Sequence, residues 1–153
     1  MLIRTHLAIT LFFILLLLPV IDAKLVFVGV ALLATFIPDI DSRFSTIGQK
    51  KIARLLQIFT KHRGMIHSFT FLLTITLVLV LFFPVVALGF FLGYASHLFA
   101  DSFSVDGIMP FYPSKKKSCG VVRTGGRSEI IVFVIFIIAD LGLLMLRIAN
   151  TIL

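Results

Sequence analysis

The chain has 153 residues, 59% of them hydrophobic and only 14% charged, with a mean hydropathy of +1.15. Soluble domains are roughly 45–50% apolar and about 25% charged, so this composition excludes a disordered chain, a soluble globular enzyme and a disulfide scaffold. It leaves a small integral membrane protein, in which the net charge of +7 reads as loop Lys and Arg beside anionic lipid headgroups rather than as a nucleic-acid surface.

The length suits one domain, residues 1–153, and the lone cysteine, Cys119, can form no internal disulfide. The first apolar run, about Leu7 to Ile21, ends at Asp22 and Lys24. It follows Arg4 as a signal peptide would, but it lacks a small-x-small cleavage pattern and a second run follows at once. It is therefore expected to stay as a helix over about 5–21. The second run, about 25–38, stops at Pro38. From Phe69 to Ala100 no acidic or basic residue precedes His97. A single helix of that length would measure about 48 Å, too long for one crossing of a roughly 30 Å core. Pro84 is therefore expected to turn the chain between helices at about 65–83 and 85–101. The last run, about 129–147, carries Asp140. Between the second and third runs, Ile52, Leu55, Leu56 and Phe59 share one helical face and Lys50, Arg54, Gln57 and Lys61 the other. That pattern predicts an amphipathic interfacial helix at about 48–61. The fold expected is an all-α integral membrane protein with about five transmembrane helices and one interfacial helix.

Alternating crossings place twelve basic residues on one side (Arg4, Arg43, Lys50, Lys51, Arg54, Lys61, Arg63, Lys115, Lys116, Lys117, Arg123 and Arg127) and two, Lys24 and Arg147, on the other. By the positive-inside rule the N-terminus is expected in the cytoplasm and the C-terminus outside. All four histidines, His6, His62, His67 and His97, fall on the same side, with Asp39, Asp41 and Asp101. Ionisable groups are costly in or near a bilayer and are usually paired or functional there. His97 and Asp101 stand i, i+4 at a helix end, so both side chains can reach one ion. Gly93 and Tyr94, one turn earlier, offer close helix approach and a hydroxyl donor. Asp39 and Asp41 repel unless a proton or cation lies between them. His62 and His67 do not share a helical face, and Gly64 permits the bend that would bring them together. Imidazole with carboxylate suits zinc, manganese or iron, and seven such ligands are enough for two divalent ions. Paired ions hydrolyse phosphoesters by activating water and neutralising the attacking and leaving oxygens. Arg63 is then placed to clamp a phosphate.

Each feature also has a plainer reading. His6 can be an interfacial residue, Asp39 and Asp41 a helix stop with a cap, and His97 with Asp101 a hydrogen-bonded pair. A shared metal site accounts for all of them together. Asp140, deep in the last run, reads as structural. Thr124-Gly125-Gly126-Arg127-Ser128 can cradle an anion at a helix start, with Glu129 nearby as ligand or base. Lys115 to Lys117 read as contacts to anionic lipid.

His6, Pro38-Asp39-Ile40-Asp41, His62-Arg63-Gly64-Met65-Ile66-His67-Ser68 and Gly93-Tyr94-Ala95-Ser96-His97-Leu98-Phe99-Ala100-Asp101 occur in that order. The set resembles the YdjM-like family of small membrane-bound, predicted metal-dependent hydrolases, and Asp101 to Gly107 followed by Pro110 to Pro113 extends the likeness along the chain. Ser104 stands where that family usually has Thr, which keeps the hydroxyl. The resemblance implies a multi-helix inner-membrane protein with His and Asp ligands at these motifs.

The expected function is a membrane-embedded, metal-dependent hydrolase acting at the cytoplasmic surface on a phosphoester such as a phospholipid or lipid phosphate. His6, Asp39, Asp41, His62, His67, His97 and Asp101 are the candidate ligands of two Zn, Mn or Fe ions. Arg63, Asp41 and His67 are the candidate catalytic residues. A metal-free phosphatase with His97 as nucleophile is disfavoured, because the Pro-Ser-Gly-His and Lys-x6-Arg-Pro elements of such enzymes are missing. The non-enzyme alternatives are a metal-ion transporter, whose ligands belong near the bilayer midplane, and a scaffold stapled by a closed metal site.

Overall fold

A computed structural model describes residues 1–41 and 65–152, with the side chains of 1–39 and 65–150. Among these residues lie five helices: α1 (Ile3–Leu17), α2 (Lys24–Phe36), α3 (Phe69–Phe82), α4 (Pro84–Ser102) and α5 (Arg127–Ile152). Short 3-10 turns follow α1 at Leu18–Val20 and α2 at Pro38–Asp41. Among the described residues, three stretches are long and apolar enough to cross a membrane: Ile3–Val20, Pro84–Ser102 and Arg127–Asn150. The expectation of five crossings is therefore corrected to three. At 13 and 14 residues, α2 and α3 extend only about 20 Å each, well short of a roughly 30 Å core. Apolar runs record burial, whether in lipid or against protein, and say nothing by themselves about reach. The interfacial helix expected at about 48–61 falls outside the described residues.

What α2 loses in length it regains in contact. It lies along α4, where Gly89 and Gly93, one turn apart, let the two backbones approach. A Cβ on Gly93 would sit 1.9 Å from the Ala31 carbonyl oxygen, and one on Gly89 would sit 2.9 Å from that of Phe27. This is the small-x-x-x-small packing used between helices in membranes, where close backbone approach replaces the hydrophobic effect. Thr10 of α1 ties the pair to a third helix: its hydroxyl lies 3.0 Å from Thr35 Oγ1 on α2 and 2.7 Å from Ser96 Oγ on α4. Pro84 opens α4 one residue after α3 gives way at Phe83, a position where its missing N–H has no partner to lose.

α5 packs on α1, and the two run parallel. Phe12 meets Phe136 edge-on at 5.5 Å, and the Arg147 guanidinium donates to the Leu15 carbonyl. Asp140 is buried on this helix, with neither carboxylate oxygen hydrogen-bonded among the described residues. At the opposite end the segment between α4 and α5 folds back through two bridges, Ser104 with Val122 and Ile108 with Ser118. Gly107 turns it at φ +60, where a Cβ would strike the Ser118 carbonyl at 2.1 Å. Ile108 from this segment is fully buried among Ile66, Leu72, Tyr94 and Leu98, and the Pro110 carbonyl accepts from Phe69 N at 2.8 Å. The helix ends that carry the histidines are thereby roofed.

Candidate metal centre

Four separate chain segments deliver ionisable side chains to one buried point. α1 supplies His6 from its first turn. The 3-10 turn after α2 supplies Asp39, the stretch before α3 supplies His67, and the last turns of α4 supply His97 and Asp101. His6, His67, His97 and Asp101 are all buried and Asp39 half-buried. Asp101 is the hub. Its Oδ1 lies 3.3 Å from His6 Nε2, and its Oδ2 lies 3.8 Å from both His67 Nε2 and His97 Nε2. Asp39 Oδ1 approaches His97 Nε2 from the other side at 3.8 Å. The amino group of Met1 also donates to Asp101 Oδ1, at 2.5 Å.

The three separations of 3.8 Å exceed hydrogen-bond length. They match the spacing of donor atoms around an ion, since two ligands each about 2.1 Å from a tetrahedral metal stand roughly 3.4 Å apart. Two triads meet the requirement, His6 with His97 and Asp101, and Asp39 with His67 and His97, their donor atoms all within 4.8 Å of one another. Each triad is capable of holding a divalent ion. The orphaned atoms agree: both ring nitrogens of His6 and Nε2 of His97 are buried without a hydrogen bond of normal geometry among the described residues. A buried polar atom left so costs about 1–3 kcal/mol, which a metal bond offsets.

The surrounding chain fixes how the ligands present themselves. The Thr35 carbonyl lies 2.7 Å from His97 Nδ1. A carbonyl only accepts, so Nδ1 carries the proton and Nε2 turns its lone pair toward the carboxylates, as outer-shell partners of metal histidines generally arrange. His6 and His97 stack with ring centroids 3.8 Å apart and planes 4° from parallel. Burial raises the Asp39 carboxyl above its ordinary range, against the opposing pull of His6 and His67.

His67 is held through its neighbour. Tyr94 OH donates to the Ile66 carbonyl at 2.6 Å inside the core, while Ser68 caps α3 by accepting from Phe71 N at 3.2 Å and donating to the Met65 carbonyl at 2.6 Å. Tyr94→Phe is expected to cost about 1–3 kcal/mol by stranding that carbonyl. It is also expected to weaken metal binding about 10–100-fold, as loss of an outer-shell partner does. Denaturant unfolding and chelator competition on the same sample would check both.

Of the seven candidate ligands, His6, Asp39, His67, His97 and Asp101 converge. The Asp41 side chain, His62 and Arg63 fall outside the described residues. Glu129, read from sequence as a possible ligand or base, accepts hydrogen bonds at both carboxylate oxygens. Its Oε1 accepts from Leu2 N at 2.5 Å and Thr5 Oγ1 at 2.9 Å, and its Oε2 from Gly125 N at 2.5 Å. It caps α1, which has no cap of its own, and so sets the helix that carries His6. The Met1 amine and the Thr35 carbonyl were not anticipated, and no side-chain pattern announces a backbone group.

A family model described as YdjM inner membrane protein matches residues 1–152. No curated protein and no solved structure matches the chain.

Proposed function

The chain belongs to the YdjM family of inner-membrane proteins, and from that premise we propose that it is a metal-dependent hydrolase whose buried His/Asp centre cleaves a phosphoester of a membrane lipid. The observation that carries the reading is Asp101, whose two oxygens face different histidines. We assign one divalent ion to His6 with Asp101 Oδ1, and a second to Asp39, His67 and His97 with Asp101 Oδ2. Two triads, His6 with His97 and Asp101, and Asp39 with His67 and His97, support two ions. His97 Nε2, common to both triads, has one lone pair and serves one ion at a time. Zn, Mn and Fe all suit this donor set.

When bound, such ions neutralise phosphate charge and lower the pKa of water. The chain's own residues do the rest. Thr35 keeps His97 in a single tautomer, and Glu129 fixes the entry of α1. Arg63, four residues before His67, clamps a phosphate oxygen. Asp41 is the candidate to take the proton of the attacking water, and the departing alcohol oxygen is protonated in turn. His62 completes the ligand set. The helix ends around the centre carry Arg4, Lys115, Lys116, Lys117, Arg123 and Arg127, and the far ends only Lys24 and Arg147. We therefore place the centre on the cytoplasmic side with the C-terminus outside. Below it, the hydroxyls of Thr10, Thr35 and Ser96 bond to one another, which favours a site closed toward the bilayer over a transport path.

The test is purified protein in lipid vesicles containing phosphatidic acid, assayed for phosphate release with Zn, Mn or Fe and again after chelation. Turnover that is lost on chelation and restored by metal is expected. Metal flux across the vesicle wall with no phosphate release would replace the hydrolase by a transporter.

A further inference from the structure

The connection between α4 and α5 leaves one membrane-crossing stretch at Ser102 and enters the next at Arg127. Both of its ends are therefore held at one face of the bilayer. Reciprocal bonds of 2.9 Å between Ile108 and Ser118 close its outer part into a loop over 109–117. Within the loop the Phe111 carbonyl accepts from Ser114 N at 2.8 Å, and the Pro110 carbonyl accepts from Phe69 N at 2.8 Å. The loop thus hangs from the start of α3, two residues beyond His67. Its tip is open throughout: Phe111 and Tyr112 are exposed, and so are Lys115, Lys116 and Lys117. Aromatic rings beside a lysine run are the make-up of a membrane interface, where rings settle among headgroups and ammonium groups reach the phosphates.

The chain cannot neutralise these charges itself. Between Asp101 and Glu129 the sequence sets Lys115, Lys116, Lys117, Arg123 and Arg127 against Asp106 alone. Asp39 and Asp101 face the histidines, and Glu129 already accepts from three donors. Asp22 lies between α1 and α2 at the opposite end, and Asp140 lies deep along α5. Were Asp41 and Asp106 both to pair here, three of the five cations would still lack a partner. Residues 42–64 cannot make up the balance, because they carry Arg43, Lys50, Lys51, Arg54, Lys61 and Arg63 and no acid. A second copy of the chain would bring like charge to like. The counter-charge comes from outside the chain, and between two crossings the anions at hand are phospholipid headgroups.

We propose that the 109–117 loop is a dock for anionic phospholipids: Lys115, Lys116 and Lys117 bind their headgroups while Phe111 and Tyr112 settle among them, so that such lipids collect beside the roof of the metal centre. The dock is independent of the hydrolase reading, since a transporter or a scaffold would carry the same loop. Each basic residue near an anionic surface is worth about fivefold in affinity, and three together about a hundredfold.

Cys119, exposed and the chain's only cysteine, lies one residue beyond the pair that closes the loop and can carry a fluorophore there. The test places the labelled full-length protein in phosphatidylcholine nanodiscs holding a small fraction of spin-labelled lipid, either phosphatidylglycerol or phosphatidylcholine. Spin-labelled phosphatidylglycerol is expected to reach half-quenching at a concentration at least about tenfold lower than its zwitterionic counterpart. With Lys115→Gln, Lys116→Gln and Lys117→Gln combined, the two lipids are expected to quench alike and the melting temperature to stay unchanged. Raising the salt to about 1 M shortens the Debye length to about 3 Å and is expected to erase the preference in the unaltered protein, a readout that needs no variant. Equal quenching by the two lipids at low salt, or a preference that survives both the triple variant and the salt, would overturn the dock. Quenching by aqueous iodide that phosphatidylglycerol leaves undiminished would place the loop away from the headgroups and overturn it as well.

Discussion

Asp101→Asn is expected to abolish metal binding at both positions of the proposed centre. The substitution keeps the side chain's size and removes the charge that Met1, His6, His67 and His97 all face. Loss of an outer-shell partner already weakens metal sites about 10–100-fold, and loss of a ligand that serves two ions exceeds that range. The metal-free protein suffers as well, because the Met1 ammonium and the histidines keep their place without a counter-charge. Breaking a buried ion pair by deleting one member costs about 3–5 kcal/mol. Elemental analysis of the variant and its thermal melt in detergent measure the two effects separately. A variant retaining one full equivalent of metal would show that Asp101 does not join the two positions.

Gly93→Ala is expected to be strongly destabilising. The added Cβ would lie 1.9 Å from the Ala31 oxygen and 2.8 Å from its carbon. Both are backbone atoms, so no side-chain rotamer relieves the clash and α2 itself must move off α4. Overpacking of this kind costs about 1–3 kcal/mol where side chains can yield, and here it reaches the top of that range or beyond. The displacement also reaches the site, because α2 carries Thr35, which orients His97, and leads into Asp39. Gly93→Ala should therefore lose thermal stability and metal affinity together. Gly29→Ala on the same α2 meets nothing within 4 Å and is expected to lose neither, which makes it the matched control in melting and chelator-competition experiments.

Much of the centre was legible because its ligands sit at helix ends in short, local patterns. His97 and Asp101 stand one turn apart on α4. Asp39 follows the proline that stops α2, and His67 precedes the serine that caps α3. Alternating helices then bring such ends together without further instruction. The parts that escaped are of two kinds. Backbone groups such as the Thr35 carbonyl and the Met1 amine have no side-chain signature, and no local pattern announces the three donors that Glu129 accepts from. Helix length was the other failure. Lys24–Phe36 and Phe69–Phe82 are as apolar as any span, but their apolarity serves packing on α4 as well as contact with lipid. Gly89 and Gly93 mark that packing in the sequence. The close helix approach that Gly93 offers is met inside the chain, between α2 and α4.

The proposed centre would hold two divalent ions per chain. The most direct test is elemental analysis of the detergent-purified protein after exhaustive dialysis, with protein concentration determined by amino-acid analysis. Close to two equivalents of Zn, Mn or Fe per chain, with at least one lost in His97→Ala, is the predicted result. A chain that holds no metal, even after reloading with each of the three ions, would contradict it.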